Sequence, residues 1–306
     1  MKSRVVCVGN LVHDEVFQVD QIPGVGIKVE VRGYESRFGG PAATAAVAIS
    51  HLGGIASYWG RVGSDAAGET AIRIMREAGV DCDGVVVIPD GRTLRAIVLV
   101  DRMGERCIVT DRLSLPPERG NLPDAGLADA AVVLADTRWP RGALLALQRA
   151  REAGIPTVLD VDGGLPSVNT ELVTLADHVV FSSQGLFEFA GEGDLATLLR
   201  SCVTRPGQVI AATRGPAGSL WLVDGAIVPV PAFSVAAVDT TGCGDVFHGA
   251  YALGLAEGQA PLEAARFAAA VAAIKAARGQ GWHGMGDRAA VQALMAGQPA
   301  APADPS

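Results

Sequence analysis

The chain has 306 residues, of which 49% are hydrophobic and 19% are charged, and its net charge is −8. A chain of this length can bury a large core, and an acidic balance without a basic run argues against binding of nucleic acid through its phosphates. No apolar run reaches the roughly 18 residues that a bilayer span requires. We therefore expect a cytoplasmic protein that acts on small molecules, with neither nucleic acid nor a membrane as partner.

Short apolar runs alternate along the chain with segments of helical periodicity. The runs are bounded by Gly or Asp and have the length of buried strands, and they lie at Val5–Val8, Ala131–Leu134, Thr157–Leu159, His178–Phe181 and Val209–Ala212. Helical patterns cover Ala66–Ala78, Gly142–Ala153 and Asp194–Cys202. This alternation predicts an α/β fold with a mainly parallel, doubly wound sheet between layers of helices.

Two regions interrupt the alternation, at about residues 15–36 and 93–112. Both have extended, alternating character, and the second contains a turn at Met103–Arg106. They predict either a small sheet that projects over the main sheet as a lid or dimer contact, or an ordinary pair of edge hairpins. No linker divides the chain, so residues 1–297 are expected to form one domain, and the Pro/Ala-rich residues 298–306 a disordered tail.

The segment Asp239–Ala250, DTTGCGDVFHGA, carries the strongest chemical signal. A helical pattern follows at Val246–Glu257, so the amides of Gly242, Cys243 and Gly244 lie where a helix leaves its first N–H groups unpaired. Such amides bind phosphate and stabilise charge on a transferring phosphoryl group. Asp245 is then well placed to take a proton from an attacking hydroxyl. The alternative is that Asp239 or Asp245 only caps the helix.

This segment resembles the C-terminal signature of the ribokinase-like, or PfkB, carbohydrate kinases. Further similarity to that family is found in the glycine pair Gly39-Gly40 with the run PAATAA after it, in Gly60–Gly68 and in Thr213–Gly218. The resemblance implies a doubly wound α/β fold with a small β-sheet lid over the sugar, and ATP bound near residues 213–218.

The resemblance also implies roles for individual residues. The anion hole and base would be Gly242, Cys243, Gly244 and Asp245, while Asp14, Gly39, Gly40 and Thr44 would meet the sugar. Thr213, Gly215, Gly218 and Ser182 would lie near ATP and its Mg²⁺, and Asp239 with the Thr241 carbonyl would hold a monovalent cation, K⁺ among the candidates. A homodimer formed through the lid is expected as well.

Two departures from the family pattern affect these roles. Thr44 replaces an Asn that contacts the sugar in many relatives, which removes an amide donor. Ser182–Gly185 replaces the Asn-x-x-Glu element that positions the metal ion. Glu188 and Asp160 are candidates to take over the role of that element. It is equally plausible that Glu188 is a surface residue of a helix and that Asp160 is a carboxylate at the end of a strand.

Within the family, the chain is most similar to the branch that phosphorylates 6-deoxy-6-sulfofructose, through GGPAATAAVA, Leu134–Trp139 and DVFHGA. Lys28 and Arg138 match the cations that hold the sulfonate there, whereas Thr110 replaces an Asn. Two cations at one end of a pocket suit an anionic sugar, but each alone could be a solvated or ion-paired residue.

Three other interpretations remain open. One is a kinase of a neutral ketose, ribose or a nucleoside, and another is a sugar-sensing relative without catalysis. An NAD-binding enzyme is disfavoured, because the first strand is followed by Gly9–Asp14 and not by a G-x-G-x-x-G turn.

Overall fold

The computed structural model describes residues 3–103, 105–111, 114–116, 120–123, 127, 129–163 and 166–297. The predicted tail at 298–306 lies outside these residues, as does Gly104 of the predicted turn at 103–106.

A nine-stranded sheet forms the centre of the molecule. Its order across the sheet is β13 (Ala226–Val230), β12 (Ser219–Val223), β11 (Val209–Thr213), β10 (His178–Ser182), β9 (Thr157–Val161), β8 (Ala130–Asp136), β1 (Arg4–Asn10), β4 (Ile55–Gly63) and β5 (Val86–Ile88). Seven of these strands are parallel, and β12 and β13 extend the sheet as an antiparallel hairpin. The predicted α/β class and all five predicted central strands are confirmed.

Helices cover both faces of this sheet. They are α1 (Pro41–His51), α2 (Ala66–Glu77), α3 (Pro140–Glu152), α4 (Pro166–Leu175), α5 (Ser183–Ala190), α6 (Leu195–Ser201), α7 (Cys243–Ala256), α8 (Pro261–Arg278) and α9 (Arg288–Gly297), with 3₁₀ turns at Gly215–Ala217 and Gly281–Gly284. The alternation of side chains along β1 accounts for the two core layers, one on each face of the sheet, because successive strand residues point to opposite faces. Val5 and Cys7 join the core beneath α1, α7 and α8, whereas Val6 and Val8 join the core beneath α3 and α4.

A separate four-stranded sheet stands beside the main one, in the order β3 (Gly33–Gly39), β2 (Val12–Gln18), β6 (Arg95–Val100) and β7 (Arg106–Asp111). The two predicted extended regions therefore pair with each other in one small sheet, and are not independent edge hairpins. Val16, Ala96 and Val98 form its buried face. The long connection at 19–32 between β2 and β3 is largely exposed and carries Lys28.

In the part of the chain that the structure describes, no helix is both long enough and apolar enough to cross a bilayer.

Candidate active site

A cavity of about 550 Å³ lies between the small sheet and the ends of the main strands. Its walls combine residues after β1, β8, β9, β10 and β11 with the faces of β2, β6 and β7 and the N-termini of α1 and α7. The carboxyl ends of parallel strands meet at one edge, where ligands of open α/β sheets bind. The small sheet thus occupies the position of a lid over this edge.

The N-terminus of α7 opens into the cavity. The helix begins at Cys243, earlier than the predicted pattern at Val246, and Gly242 is its N-cap in the left-handed region with φ 74°. Glycine is the residue that adopts this conformation without strain. Gly242 and Gly244 line the cavity, and within the described residues their amides donate no hydrogen bond. These two amides are available to an anion, and their role as an anion hole stays a prediction.

The amide of Cys243 differs from its two glycine neighbours. It donates to the Thr240 carbonyl at 3.2 Å, so it helps to close the turn before the helix. The amide of Asp245, next along the first turn, has no such partner among the described residues. The amides of Gly242, Gly244 and Asp245 are therefore the donors without a partner among the described residues, and a contribution of Cys243 to the anion hole stays a prediction.

Asp245 lies on the cavity wall in the first turn of α7. Burial raises the pKa of its carboxyl to about 7, and the nearby carboxylates of Asp160, Asp162 and Asp136 act in the same direction, while His248 opposes them. A carboxyl group with a pKa near neutrality is well matched to accept a proton at physiological pH.

A buried His–Asp pair lies directly below Asp245. Nδ1 of His248 lies 3.1 Å from Oδ2 of Asp160, and both side chains are 4% exposed. Burial alone would lower the pKa of His248, but the Asp160 carboxylate beside it raises that pKa above its ordinary value. His248 is not among the predicted site residues, although its position three residues after Asp245 on a helix places the two on one face.

Asp136, at the end of β8, ties three elements together beneath the cavity. Its carboxylate accepts hydrogen bonds from the amides of Asn10 (3.1 Å), Ala42 (3.1 Å) and Arg138 (2.8 Å). Burial raises its pKa to about 6 despite these hydrogen bonds. Asn10 also has a buried Oδ1 that lacks a partner among the described residues. Both residues are 94% or more buried, and neither was predicted as part of the site.

Some of the predicted sugar contacts lie on the lid side of the cavity. Asp14, Gly40 and Thr110 line it, and burial raises the pKa of Asp14 to about 6 against the effect of Arg37. A Cβ on Gly39 would lie 2.6 Å from Asp14 Oδ2, so this glycine makes room for that carboxylate. Thr44 is buried behind the wall, where its Oγ1 accepts from Nε1 of Trp282 at 3.0 Å.

The two predicted cations are in different places. Arg138 lines the cavity, and its guanidinium forms an ion pair with Asp162 at 3.5 Å and donates to the Asp162 carbonyl. Lys28 lies in the exposed 19–32 connection and is not part of the cavity wall. The structure brings Arg138, but not Lys28, to the other predicted site residues.

On the predicted nucleotide side, Ser182 and Thr213 line the cavity, whereas Gly215 and Gly218 lie in the turn that follows β11. Ser182 caps α5 by accepting from the Gly185 amide at 2.9 Å. Gly218 is required by the fold as well, because a Cβ there would lie 2.3 Å from the Val230 carbonyl oxygen.

Of the two candidates for the metal role, Asp160 pairs with His248, and Glu188 accepts a hydrogen bond from Gln184 on the surface.

Asp239 stabilises the turn that presents the α7 amides. Its Oδ1 accepts from the Thr241 amide at 2.9 Å, and its Oδ2 lies 3.8 Å from Arg37 of the lid strand β3. Burial opposes ionisation, but the hydrogen bonds from Thr241 and the cations Lys275 and Arg37 hold the pKa of Asp239 below its usual range. Thr241 lines the cavity, while Asp239 lies behind it. Within the described residues, no group of three His, Cys, Asp or Glu side chains could hold a metal ion.

Comparison with known proteins gives a consistent family match. A family model described as pfkB family carbohydrate kinase matches residues 2–283. The ATP-dependent ribose-1-phosphate kinase of Halopiger xanaduensis is 28% identical over 250 residues, covering 80% of this chain and 82% of that protein. The ribokinase of Haemophilus influenzae is 26% identical over 285 residues, covering 90% and 92%. A solved structure from Agrobacterium tumefaciens is 33% identical, with a TM-score of 0.90 and coverage of 97% and 98%.

Proposed function

The chain belongs to the pfkB family of carbohydrate kinases, and from this premise we propose that it transfers the terminal phosphoryl group of ATP to a sugar hydroxyl with Asp245 as general base. One observation carries the proposal: the Asp245 carboxyl, with a pKa raised to about 7, lies in the same helical turn as amides that are available to an anion. We propose further that residues 1–297 act as one catalytic unit.

The reaction step follows from this arrangement. A sugar hydroxyl in the cavity gives its proton to Asp245 as its oxygen attacks the γ-phosphorus, and the bond from that phosphorus to the bridging oxygen breaks to release ADP. The amides of Gly242, Gly244 and Asp245 stabilise the charge on the transferring group, because they are fixed before the reaction begins. Deprotonation and charge stabilisation are thus supplied by neighbouring residues of one turn.

The nucleotide is expected between the turn after β11 and the start of α7, where Thr213, Ser182 and Thr241 line the wall. Mg²⁺ in such sites is held largely by substrate phosphates and water, and when bound it neutralises charge on the transferring phosphoryl group. Asp14 and the N-terminus of α1 at Gly40 would hold the sugar on the opposite side.

We propose an anionic ketose such as 6-deoxy-6-sulfofructose as the substrate. Support comes from Arg138, which lines the cavity and whose guanidinium is able to donate two parallel hydrogen bonds to an anionic group. The relative from Halopiger xanaduensis is named for a sugar phosphate, which is also anionic. For Lys28 to contribute, the 19–32 connection would have to move towards the cavity when the sugar binds.

A neutral sugar such as ribose or fructose, or a nucleoside, is the second candidate. The ion pair between Arg138 and Asp162 favours it, because a paired guanidinium needs no anion from the substrate. The relative from Haemophilus influenzae, named a ribokinase, agrees with this alternative.

A coupled assay of ADP release tests both candidates with sulfofructose, fructose, fructose phosphates, ribose and adenosine. If the substrate is anionic, Arg138→Ala raises KM about 10- to 100-fold for anionic sugars, the cost of a lost charge-assisted contact, and leaves neutral sugars nearly unchanged. Arg141→Ala is the matched control, because this exposed arginine lies three residues further on, in the first turn of α3, and is not part of the cavity wall. Equal losses on both sugar classes would remove Arg138 from substrate selection.

The same assay separates a kinase from a sugar-sensing relative without catalysis. Release of ADP that depends on an added sugar identifies an enzyme. Calorimetry measures sugar binding in parallel. If the sugars bind but none of them leads to ADP release, the proposed phosphoryl transfer is wrong and the sensing alternative is favoured.

We propose that two copies associate through the outer face of the lid. This face lies opposite to the cavity. Its apolar side chains are Phe17, Tyr34, Ile97, Leu99 and Val109. Three of them, Tyr34, Ile97 and Val109, are 42–61% exposed. A continuous apolar face on a small sheet is typical of an interaction surface. A second copy is a fitting partner, because the same patch on both molecules is self-complementary under two-fold symmetry.

A further inference from the structure

Lys275 is a buried charged residue without a hydrogen-bond partner among the residues that the structure describes. It lies in the last turn of α8, is 1% exposed, and its Nζ has no hydrogen-bond partner in the described residues. Burial of an ammonium group without a partner is costly. We therefore expect a buried ammonium group of this kind to have a compensating negative charge nearby.

The turn that carries Asp239 packs against this part of α8. The amides of Val238 and Asp239 both donate to the Ala276 carbonyl, at 2.8 and 3.2 Å, so the turn before α7 rests on the helix one residue after Lys275. Lys275 is accordingly among the groups that lower the pKa of Asp239. Charges in a buried environment interact at a distance because solvent screens them weakly.

Asp239 has a second cation on its other side. Arg37 belongs to lid strand β3, is 18% exposed, and approaches to 3.8 Å. Its position depends on the lid, whereas Lys275 is fixed in the core. Of the two cations near Asp239, the one that does not depend on the lid is therefore Lys275 of α8.

We infer that the buried ammonium of Lys275 supplies, behind the α7 amides, the positive charge that a bound alkali cation would otherwise provide, and that the enzyme works without K⁺. An alkali ion at Asp239 and the Thr241 carbonyl would be repelled by the Lys275 ammonium, which has the same sign, and the described residues place no group of three His, Cys, Asp or Glu side chains there. Lys275 acts through Asp239 on the turn and is a positioning residue. The inference is an alternative to the K⁺ site that the sequence predicts.

The kinetic test rests on the proposed kinase function, and a thermal test does not. Rates are measured with saturating sugar in KCl, NaCl and tetramethylammonium chloride of equal ionic strength, and the melting temperature is measured in the same salts. For the wild type we expect rates within about twofold and no K⁺-specific thermal shift. A K⁺-specific rise in rate of more than about threefold, or a saturable K⁺-specific thermal shift, would overturn the inference.

Lys275→Met provides the second arm, because methionine keeps the length of the side chain and removes its charge. We expect kcat in tetramethylammonium chloride to fall at least about tenfold, with KM less affected, and K⁺ to restore part of it and to raise the melting temperature. Arg278→Met is the matched control, since it removes an exposed cation from the same helical turn. A merely structural Lys275 would change stability without creating a response to K⁺, and that outcome would contradict the inference.

If Lys275→Met does not fold, the wild-type cation series decides the question alone. If no sugar supports ADP release, the thermal series still tests whether an alkali ion binds. Failure of the kinase proposal and failure of this inference are therefore distinguishable.

Discussion

Asp245 has two properties that suit a general base. Its carboxyl lies in the same helical turn as amides without a partner, and burial raises its pKa to about 7. We predict that Asp245→Asn lowers kcat by about 10²–10⁴-fold, the usual contribution of a general base, with little change in ATP affinity. Asp194→Asn is the matched control, because Asp194 also lies at a helix N-terminus, far from the cavity, and Asn caps a helix equally well. Retained activity in Asp245→Asn would exclude Asp245 as the base.

The pH dependence of the wild type follows from the same pKa. A base must be ionised to accept a proton, so kcat/KM should fall as the pH drops through about 7 and reach a plateau above it. The groups around Asp245 are the acids Asp136, Asp160 and Asp162 from the strand ends and His248 from its own helix. His248 is the basic member of this set, and it acts to lower the pKa of Asp245, which favours the ionised base.

Removal of His248 should therefore shift the pH profile. With His248→Gln, the uncompensated negative charge of Asp160 remains beside Asp245, and we expect the acid limb of kcat/KM to move up by about one pH unit. The loss should be larger at pH 6.5 than on the alkaline plateau, with some loss of stability because Asp160 stays buried. His51→Gln, at the exposed end of α1, is the control. A uniform loss at all pH values would indicate a packing role only.

At the scale of elements, helices α1 and α7 cross closely and both direct their N-termini into the cavity. Contact is possible because position 249 is glycine: a Cβ there would lie 2.6 Å from the Ala45 carbonyl oxygen. We predict that Gly249→Ala destabilises the fold by about 1–3 kcal/mol through overpacking and raises KM for sugar and nucleotide together. Urea unfolding and initial rates measure the two effects.

Gly297→Ala is the matched control for this substitution. Gly297 is the last residue of α9, and a Cβ there meets nothing within 4 Å. This change should leave stability within about 0.5 kcal/mol or raise it slightly, since Ala is the better helix former. If both variants behaved alike, the contact between α1 and α7 would not explain the requirement for glycine.

The structure also indicates which parts of the site a sequence can reveal. Gly242, Gly244 and Asp245 could be predicted because one contiguous segment forms the turn. Asn10 and Asp136 could not, because their hydrogen bond joins residues 126 positions apart. Lys275 was hidden for another reason: it lies in an alanine-rich helix whose pattern gives no sign that a cation faces the core.

At the scale of the whole molecule, the lid should set the oligomeric state. Ile97 and Val109 are cross-strand neighbours on its outer face, so we predict that Ile97→Lys converts a dimer into a monomer by placing a charge in the apolar patch. Light scattering after gel filtration measures the mass. Val203→Lys, at another exposed valine, should leave the mass unchanged. A wild-type monomer at micromolar concentration would contradict the proposed association.

The exposed connection at 19–32 is separate from the elements that hold Asp245 and its neighbouring amides. We therefore expect substitutions in this connection to leave the turn that carries Asp245 intact and to act on the lid alone. The two parts of the molecule can then change independently, the one that carries the acid and the one that faces the solvent.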